Sequence, residues 1–260
     1  RDLAYGTLLS AGNYGIVHRD SPDPRGIDLA LLYRRDRVSV SEVRSWLPES
    51  NDSIPVSTRN LLYVRVTASG DTLHMILCHL PSRRGGVLAA SGLRGKMIRL
   101  AAGKIDSVIC SGGGRAAVIV MGDFNTAPDD PLLHELAGEG QPCSHADAEN
   151  SSGRNVEDIA DHWSAGLVNL SSDLAGKGKG SYRYQGIWEM IDQVLVSPGL
   201  TDSTSVWRVV PGSFRVVDAQ FLLTNDETYP GQKPFPTDGG YRYTGGYSDH
   251  LPVTVKLVHR

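Results

Sequence analysis

The sequence contains 260 residues, of which 40% are hydrophobic and 21% are charged, and its formal net charge is −3. A chain of this length can bury a substantial core, and it has no run of about 18 apolar residues that would predict a membrane span. The charge is unevenly distributed, because residues 1–110 carry 15 basic and 10 acidic side chains whereas residues 111–260 carry 11 and 19. This balance argues against a broadly basic nucleic-acid binder and favours a small charged substrate or a local basic rim around a phosphate.

The first half of the chain predicts several strands and one helix. Aliphatic and β-branched runs between turn signals predict strands, and apolar residues at helical spacing predict a helix that ends at the glycines of residues 112–114. In chain order, these elements are the strands Gly26–Tyr33, Leu61–Thr67 and Thr72–Cys78, the helix Leu93–Ile109 and the strand Ala116–Met121. The second and third strands are expected to form a hairpin across residues 68–71.

The second half predicts more strands, separated by longer loops. In chain order, it predicts a short helix Pro131–Ala137, helix fragments and loops over residues 138–180, the strands Ile187–Ser197, Ser205–Val210, Ala219–Thr224 and Leu251–Val258, and a long Gly-, Pro- and Tyr-rich loop over residues 225–246. Strands interleaved with helices predict an α/β layered fold. Because no linker or internal repeat is visible, a single domain over residues 1–260 is expected.

Two segments carry groups suited to phosphate chemistry. Asp123 and Asn125 follow the apolar run that ends at Met121, and Asp249 and His250 come directly before the apolar run of residues 251–255. Metal-assisted attack on phosphorus needs acidic oxygens for a hard cation, an amide and an imidazole. Each segment taken alone is also compatible with an ordinary capped turn.

A third segment, residues 78–86, places a histidine at the end of an apolar strand. His79 is followed by Arg83 and Arg84 beside two glycines, and two arginines near flexible backbone are able to clamp phosphate oxygens. An ordinary solvated arginine pair is the alternative. Residues 18–26 predict either a loop with a satisfied turn or, through Arg25, a further substrate contact.

Taken in order, these segments resemble a known family. Residues 122–125, 191–196 and 248–253 resemble the signature segments of the endonuclease/exonuclease/phosphatase superfamily, and residues 78–86 resemble the histidine-bearing strand end of its nuclease and phosphatase branches. The resemblance extends from Gly26 to Val255. It implies a deoxyribonuclease-I-like fold, a four-layer α/β sandwich in which two packed mixed β-sheets are flanked by helices.

The resemblance also implies a role for each side chain. Asp123 would orient or deprotonate the attacking water, Asn125 would hold that water in position, and both would join Asp249 around Mg²⁺ or Mn²⁺. His79 would act as a general acid or phosphate donor. Arg83, Arg84 and Arg25 would bind the substrate phosphate.

His250 would contact the scissile phosphate, and a carboxylate at Asp192 would orient its ring. The residues themselves support this pair, because Asp192 lies between Ile191 and the apolar run that begins at Val194. An aspartate in such a strand is unusual unless it has a partner, and an imidazole needs a partner to fix its tautomer.

One part of the family pattern is not found in this sequence. Members begin with a strand that carries an asparagine, followed by a second strand that ends in the glutamate serving as the principal metal ligand. Neither segment is present between Arg1 and Arg260. The chain is therefore expected to be an N-terminally incomplete form of the domain, with reduced activity.

These features predict a Mg²⁺- or Mn²⁺-dependent phosphoesterase that hydrolyses phosphodiester bonds, nuclease-like, by in-line attack of water. The alternatives are a phosphatase or phospholipase-type enzyme acting on a sugar, inositol or lipid phosphate, and a non-catalytic binding module on the same fold. The expected partner is a phosphate ester, nucleic acid being one option. Cys78, Cys110 and Cys143 have no zinc-site spacing and leave the redox compartment open, and the sequence does not specify the location or the oligomeric state.

Overall fold

The computed structural model describes residues 6–48, 57–82, 87–137 and 166–260. The strands are β1 (Tyr14–Arg19), β2 (Leu29–Arg34), β3 (Val38–Trp46), β4 (Leu61–Ala68), β5 (Asp71–His79), β6 (Val118–Asp123), β7 (Val168–Asn169), β8 (Tyr182–Tyr184), β9 (Ile187–Glu189), β10 (Asp192–Val196), β11 (Trp207–Val209), β12 (Arg215–Val216), β13 (Leu223–Asn225), β14 (Gln232–Pro234), β15 (Asp238–Gly239), β16 (Arg242–Tyr243), β17 (Val253–Thr254) and β18 (Leu257–His259). The α-helices are α1 (Val87–Ser111) and α2 (Ser172–Ala175), and 3₁₀ helices span Leu8–Gly12, Pro131–Glu135, Pro198–Leu200 and Gln220–Leu222. No helix in these ranges is both long and apolar enough to cross a membrane.

The largest sheet has six strands in the order β3-β4-β5-β6-β10-β7. β5 and β6 are parallel, and the other neighbouring pairs are antiparallel. Parallel neighbours require a crossover connection, which here contains α1. Because β5 and β6 run in the same direction, both end at the same edge of the sheet, and antiparallel β10 begins there.

Each face of this sheet is covered, which explains why its central strands carry apolar residues toward both faces. On one face, Met97, Ile98 and Ile105 of α1 pack against residues that include Tyr63 and Val120. On the other face, alternate residues of the same strands pack against the second β layer, which contains the two-stranded ladders β1-β2, β11-β18 and β12-β17. This sheet–ladder arrangement, with a helix outside it, is the predicted α/β sandwich.

Several predicted elements are found with small shifts in their ends. β4 and β5 form the predicted hairpin, with Ser69 and Gly70 at positive φ in its turn. The predicted helix is confirmed and is longer, and the predicted strand Ala116–Met121 is β6, which extends to Asp123. The predicted strand Gly26–Tyr33 begins only at Leu29, because residues 20–26 fold into a separate polar loop.

Other predictions were wrong. The run Ile187–Ser197 forms two strands, because β9 pairs with β8 whereas β10 joins the six-stranded sheet. The run Leu251–Val258 is also divided, because the Lys256 amide bonds to the Ser213 hydroxyl between the two ladders. The predicted strand Ala219–Thr224 is mainly a 3₁₀ helix, residues 225–246 contain β14 to β16, and β1 and β3 were not predicted.

Gly122 makes possible the close approach of β5 and β6 at the sheet edge. Its φ is 138°, and a Cβ at this position would lie 1.9 Å from the carbonyl oxygen of Cys78. Only glycine satisfies both conditions. The sequence before Asp123 therefore fixes where the strand ends as well as its register with β5.

Candidate active site

Three strand ends bring His79, Asp123 and Asp192 into one row. His79 is opposite Asp123 in the parallel register of β5 and β6, and Asp192 is opposite Asp123 in the antiparallel register of β6 and β10. Successive side chains of a strand alternate between faces. Because Cys78, Val120 and Leu195 face α1, the three polar residues lie on the opposite face, toward the second β layer.

Asn125 adopts a left-handed conformation, with φ of 50°, and folds back onto Asp123. Its backbone amide donates to Oδ1 of Asp123 at 2.7 Å, and its side-chain Nδ2 donates to Oδ2 at 2.9 Å. The same Nδ2 is 2.9 Å from the carbonyl oxygen of Leu80. Asn125 thus fixes both oxygens of Asp123. Its own Oδ1 takes no part in these hydrogen bonds and is available to ligate a cation.

His250 reaches the row from the other side. It forms a β-bridge with Tyr182, and its Nδ1 lies 2.7 Å from Oδ2 of Asp192. The hydroxyl of the buried Ser181 donates to the same oxygen at 2.6 Å. The ring of Tyr182 lies against the imidazole with a centroid separation of 4.8 Å. With Nδ1 held by a carboxylate, His250 presents Nε2 to the rest of the site.

The row gives Asp123 and His79 unusual proton affinities. Burial raises the pKa of Asp123 to about 6, and the negative charge of Asp192 adds to the effect. Burial also lowers the pKa of His79 to about 4, and the positive charge of Arg59 lowers it further. Because Nε2 of His79 lies 3.4 Å from Oδ2 of Asp123, a neutral imidazole stands beside a carboxyl group that titrates near neutrality.

His250 is affected in the opposite direction. Burial alone would lower its pKa, but the hydrogen bond and the charge of Asp192 outweigh burial and raise the pKa above its ordinary value. The charges of Asp123 and Asp249 act in the same sense. Of the two imidazoles, His250 is therefore the one whose protonated form its surroundings favour.

A buried ion pair adjoins the His79 side. Asp23 lies between two arginines, with Oδ2 2.9 Å from Nη1 of the buried Arg59 and 2.8 Å from Nη2 of the half-exposed Arg25. These hydrogen bonds, first that of Arg25 and then that of Arg59, hold the pKa of Asp23 far below its usual range. Arg25 is also close enough to His79 to contribute to lowering the pKa of that imidazole.

The structure thus brings together five of the sequence-predicted residues: His79, Asp123, Asn125, Asp192 and His250. Asp249 is exposed beside them. Arg25 adjoins the site but binds Asp23 through both Nε and Nη2. Arg83 and Arg84 lie outside the described residues, so their predicted role in binding phosphate stays a prediction.

Comparison with known proteins identifies the family. The profile of the Endonuclease/Exonuclease/phosphatase family matches residues 1–259. The chain belongs to this family. No curated protein matches it in sequence.

Three solved structures are similar to this chain in fold. Truncated Caenorhabditis elegans TDP2 is 15% identical with a TM-score of 0.55, covering 100% of this chain and 80% of its own. D. rerio TDP2 complexed with a single-strand DNA product is 18% identical with a TM-score of 0.53, covering 98% and 82%. The human Nocturnin catalytic domain with bound sulfate is 14% identical with a TM-score of 0.53, covering 97% and 75%. At these identities the likeness establishes the deoxyribonuclease-I-like α/β sandwich alone.

The donor chemistry of this family member fits a hard divalent cation. Asp123, Asn125 and Asp249 offer oxygen atoms, the ligands that Mg²⁺ prefers. Burial and the negative charge of Asp192 raise the pKa of Asp123 despite the positive charges of His250 and Arg59, and a bound cation would favour the ionised form of this carboxylate. Among the described residues, the one cluster of three His, Asp or Glu side chains with ligand atoms within 4.8 Å of one another is His18, Asp20 and Asp28, at the surface.

Sequence reasoning missed four residues that contact the row directly or through one partner: Ser181, Tyr182, Asp23 and Arg59. Ser181 and Tyr182 lie between the predicted loop of residues 138–180 and the predicted strand Ile187–Ser197, at the start of β8, and no sequence pattern distinguishes them from their neighbours. A signal for Arg59 was present, because a charged residue stands two positions before the apolar strand that starts at Leu61. Its partner Asp23 is 36 residues away along the chain, so the pairing itself was not visible.

Proposed function

We propose that this chain is a divalent-metal-dependent phosphodiesterase that hydrolyses its substrate by in-line attack of water. The observation that carries the proposal is the row of His79, Asp123 and Asp192, completed by Asn125 and His250. It combines a carboxylate with a pKa near 6, a neutral imidazole 3.4 Å from that carboxylate, and an imidazole that favours protonation through its contact with Asp192.

Each residue has a distinct task in this proposal. Asp123 accepts the proton of the attacking water, for which a pKa of about 6 is well matched to neutral pH. Asn125 holds both oxygens of Asp123, so that the carboxylate keeps one orientation. The Nε2–H of His250 donates to a phosphate oxygen that gains negative charge during attack.

The remaining groups bind the substrate phosphate and offset its negative charge. His79 in its neutral form donates a hydrogen bond without adding positive charge. Arg25 contacts the phosphate from the side of His79, since its Nη1 donates to no described residue. A divalent cation held by the oxygens of Asp123, Asn125 and Asp249 would supply positive charge to the substrate when bound.

The balance of charge favours a diester over a monoester. In and beside the row, Asp123, Asp192 and Asp249 are acidic, whereas the positive charges that act on the row are those of His250, Arg25 and the buried Arg59. A monoester dianion places two negative charges in this field, and a diester places one. The D. rerio protein of the same fold holds a DNA strand, so this fold admits a phosphodiester chain.

The test is hydrolysis of bis(p-nitrophenyl) phosphate and p-nitrophenyl phosphate with Mg²⁺, with Mn²⁺ and with chelator. We expect turnover of the diester that chelator abolishes and that exceeds turnover of the monoester. Preference for the monoester would favour a phosphatase instead. Absence of turnover of either ester with both metals would contradict the proposal and favour a binding module on the same fold.

A further inference from the structure

Arg59 is a buried charge whose hydrogen bonds all lead to the catalytic edge of the sheet. It precedes β4 and is almost inaccessible to solvent. Its Nη1 donates to Asp23, its Nε donates to the carbonyl oxygen of His79 at 3.0 Å, and its Nη2 donates to that of Leu80 at 2.8 Å. One planar guanidinium thus connects the loop at residues 20–26 with the last residue of β5, His79, and with Leu80, which follows it.

The carbonyl oxygen of Leu80 is shared. It accepts from Nη2 of Arg59 and, at 2.9 Å, from Nδ2 of Asn125. That same Nδ2 donates to Oδ2 of Asp123, and the Leu80 amide donates to the backbone carbonyl of Asp123 at 2.9 Å. The contacts form a continuous path from Asp23 through Arg59, Leu80 and Asn125 to Asp123.

Stability alone does not account for such a pair. Removing two charges from water is costly, and an apolar pair of similar shape often stabilises a fold equally well. Arg59 instead donates to the backbone carbonyl oxygens of His79 and Leu80, and the Leu80 oxygen in turn holds the side chain of Asn125. Asp23 holds the guanidinium in plane through the charged hydrogen bond, and Arg59 in turn fixes the chain that carries His79 and Leu80.

We propose that Arg59, held by Asp23, is a positioning residue that orients Asp123 by fixing the Leu80 carbonyl to which Asn125 is anchored. Arg59 itself acts at a distance from the reacting atoms. The proposal rests on the proposed phosphodiesterase function for its kinetic consequence, but not for its structural one. A misplacement of about 1 Å in a catalytic group lowers the rate by about 100-fold, and positioning of this kind affects kcat more than KM.

The test uses Arg59→Gln and Arg59→Lys, with Arg65→Gln as a matched control. Arg65 also lies at β4, but its guanidinium pairs at the surface with Glu42. Two properties are measured: kcat and KM for bis(p-nitrophenyl) phosphate with Mg²⁺, and hydrogen exchange of the Leu80 and Asn125 amides. For Arg59→Gln we expect kcat to fall by about 100-fold with KM nearly unchanged, and exchange at these two amides to become faster than exchange in the middle of β4.

The lysine variant should fall between wild type and Arg59→Gln, because its ammonium group retains some of the contacts to the carbonyl oxygens. Arg65→Gln should match wild type in both properties. If Arg59→Gln fails to fold, Arg59→Lys and Asp23→Asn carry the test, since both keep the buried volume filled. In those variants we expect kcat to fall by less than in Arg59→Gln, with KM nearly unchanged, and exchange at the Leu80 and Asn125 amides to become faster by a smaller factor.

Three outcomes would overturn the proposal. A higher KM with unchanged kcat would make Arg59 a substrate contact. Faster exchange spread evenly over β4, β5 and β6 would make it a structural residue only, and unchanged kcat and exchange would leave it without a role. If wild type hydrolyses no diester, the proposed function fails, while exchange at Leu80 and Asn125 still decides this inference.

Discussion

The two histidines of the site stand on opposite sides of Asp123 and have opposite proton affinities. His79 ends a strand of the large sheet and is close to the positive charges of Arg59 and Arg25, whereas His250 lies on a short β-bridge and contacts the carboxylate of Asp192. Both rings are largely buried, so burial alone would lower both pKa values. The charged neighbour decides the outcome, and one fold thereby supplies an imidazole that favours its neutral form and an imidazole that favours its protonated form.

The two sides also differ in sheet architecture and exposure. The His79 side consists of six-stranded-sheet residues fixed by a buried ion pair. The His250 side consists of short ladders, and several of its aromatic side chains are exposed, among them Phe221, Tyr241, Tyr243 and Tyr247.

The largest expected effect is at the carboxylate between the two sides. Asp123→Asn removes the proton acceptor while keeping the shape and one hydrogen bond from Asn125. We expect kcat for bis(p-nitrophenyl) phosphate to fall by about 10³-fold, which is typical of a general base. Asp129→Asn, in an exposed residue of the following loop, serves as the control. Retention of more than a tenth of the activity in Asp123→Asn would assign the base to another group.

The histidines themselves should respond unequally. His250→Gln removes the protonated donor, and we expect kcat to fall by about 10²-fold. His79→Gln replaces one neutral hydrogen-bond donor by another, and we expect a loss of about tenfold. Steady-state kinetics of both variants, with the exposed His134→Gln as control, measures the difference. An equal fall in kcat in the two histidine variants would contradict the different roles assigned to His79 and His250.

Asp192→Asn should lower the pKa of His250, so that its neutral form is favoured, as it is in His79. The negative charge of Asp192 stabilises the imidazolium, so its loss lowers the pKa of His250. Activity that requires protonated His250 is lost as the pH rises through this pKa. The alkaline limb of kcat/KM against pH is therefore expected to move to lower pH in Asp192→Asn, and an unmoved limb would show that His250 does not control it.

The smallest expected effect is on stability, at Asp23. Its pKa in the folded protein is far below the value of about 3.9 in unfolded chains, so its contribution is fully present above that value and is lost as the pH falls below it. Asp23→Asn should lower the free energy of unfolding by about 2 kcal/mol at pH 7, and the difference from wild type should narrow below about pH 4. Urea denaturation at several pH values measures both. A difference that is independent of pH would contradict this account.

The sequence predicted those parts of the fold in which one pattern dominates. β4, β5, β6 and α1 are apolar on the faces they bury, and their order predicted α/β layers, whereas the sandwich of two packed sheets was implied by the family resemblance. β3 was missed because it is an edge strand with Ser, Glu and Arg between its apolar residues and an irregular register between Val40 and Glu42. Runs such as Ile187–Ser197 were assigned to one strand because hydrophobicity does not record which sheet a residue joins.

The site was predictable where motifs end strands and was not predictable where partners are distant. Asp123, Asn125 and His250 were identified from short segments, and the isolation of Asp192 in an apolar run indicated that it needed a partner. The role of Arg59 depends on Asp23 and on the Leu80 carbonyl, neither of which is adjacent in sequence. Arg25 was predicted as a substrate contact, and its bonds to Asp23 were not visible without the fold.

The most direct test of the account is an NMR titration of the histidine rings in the metal-free protein, with signals assigned from His79→Gln and His250→Gln. The account predicts that His79 titrates near pH 4 and that His250 titrates above the ordinary histidine value of about 6.5. His79 titrating above His250, or both rings titrating together near the ordinary value, would contradict the assignment of one neutral and one protonated imidazole to this site.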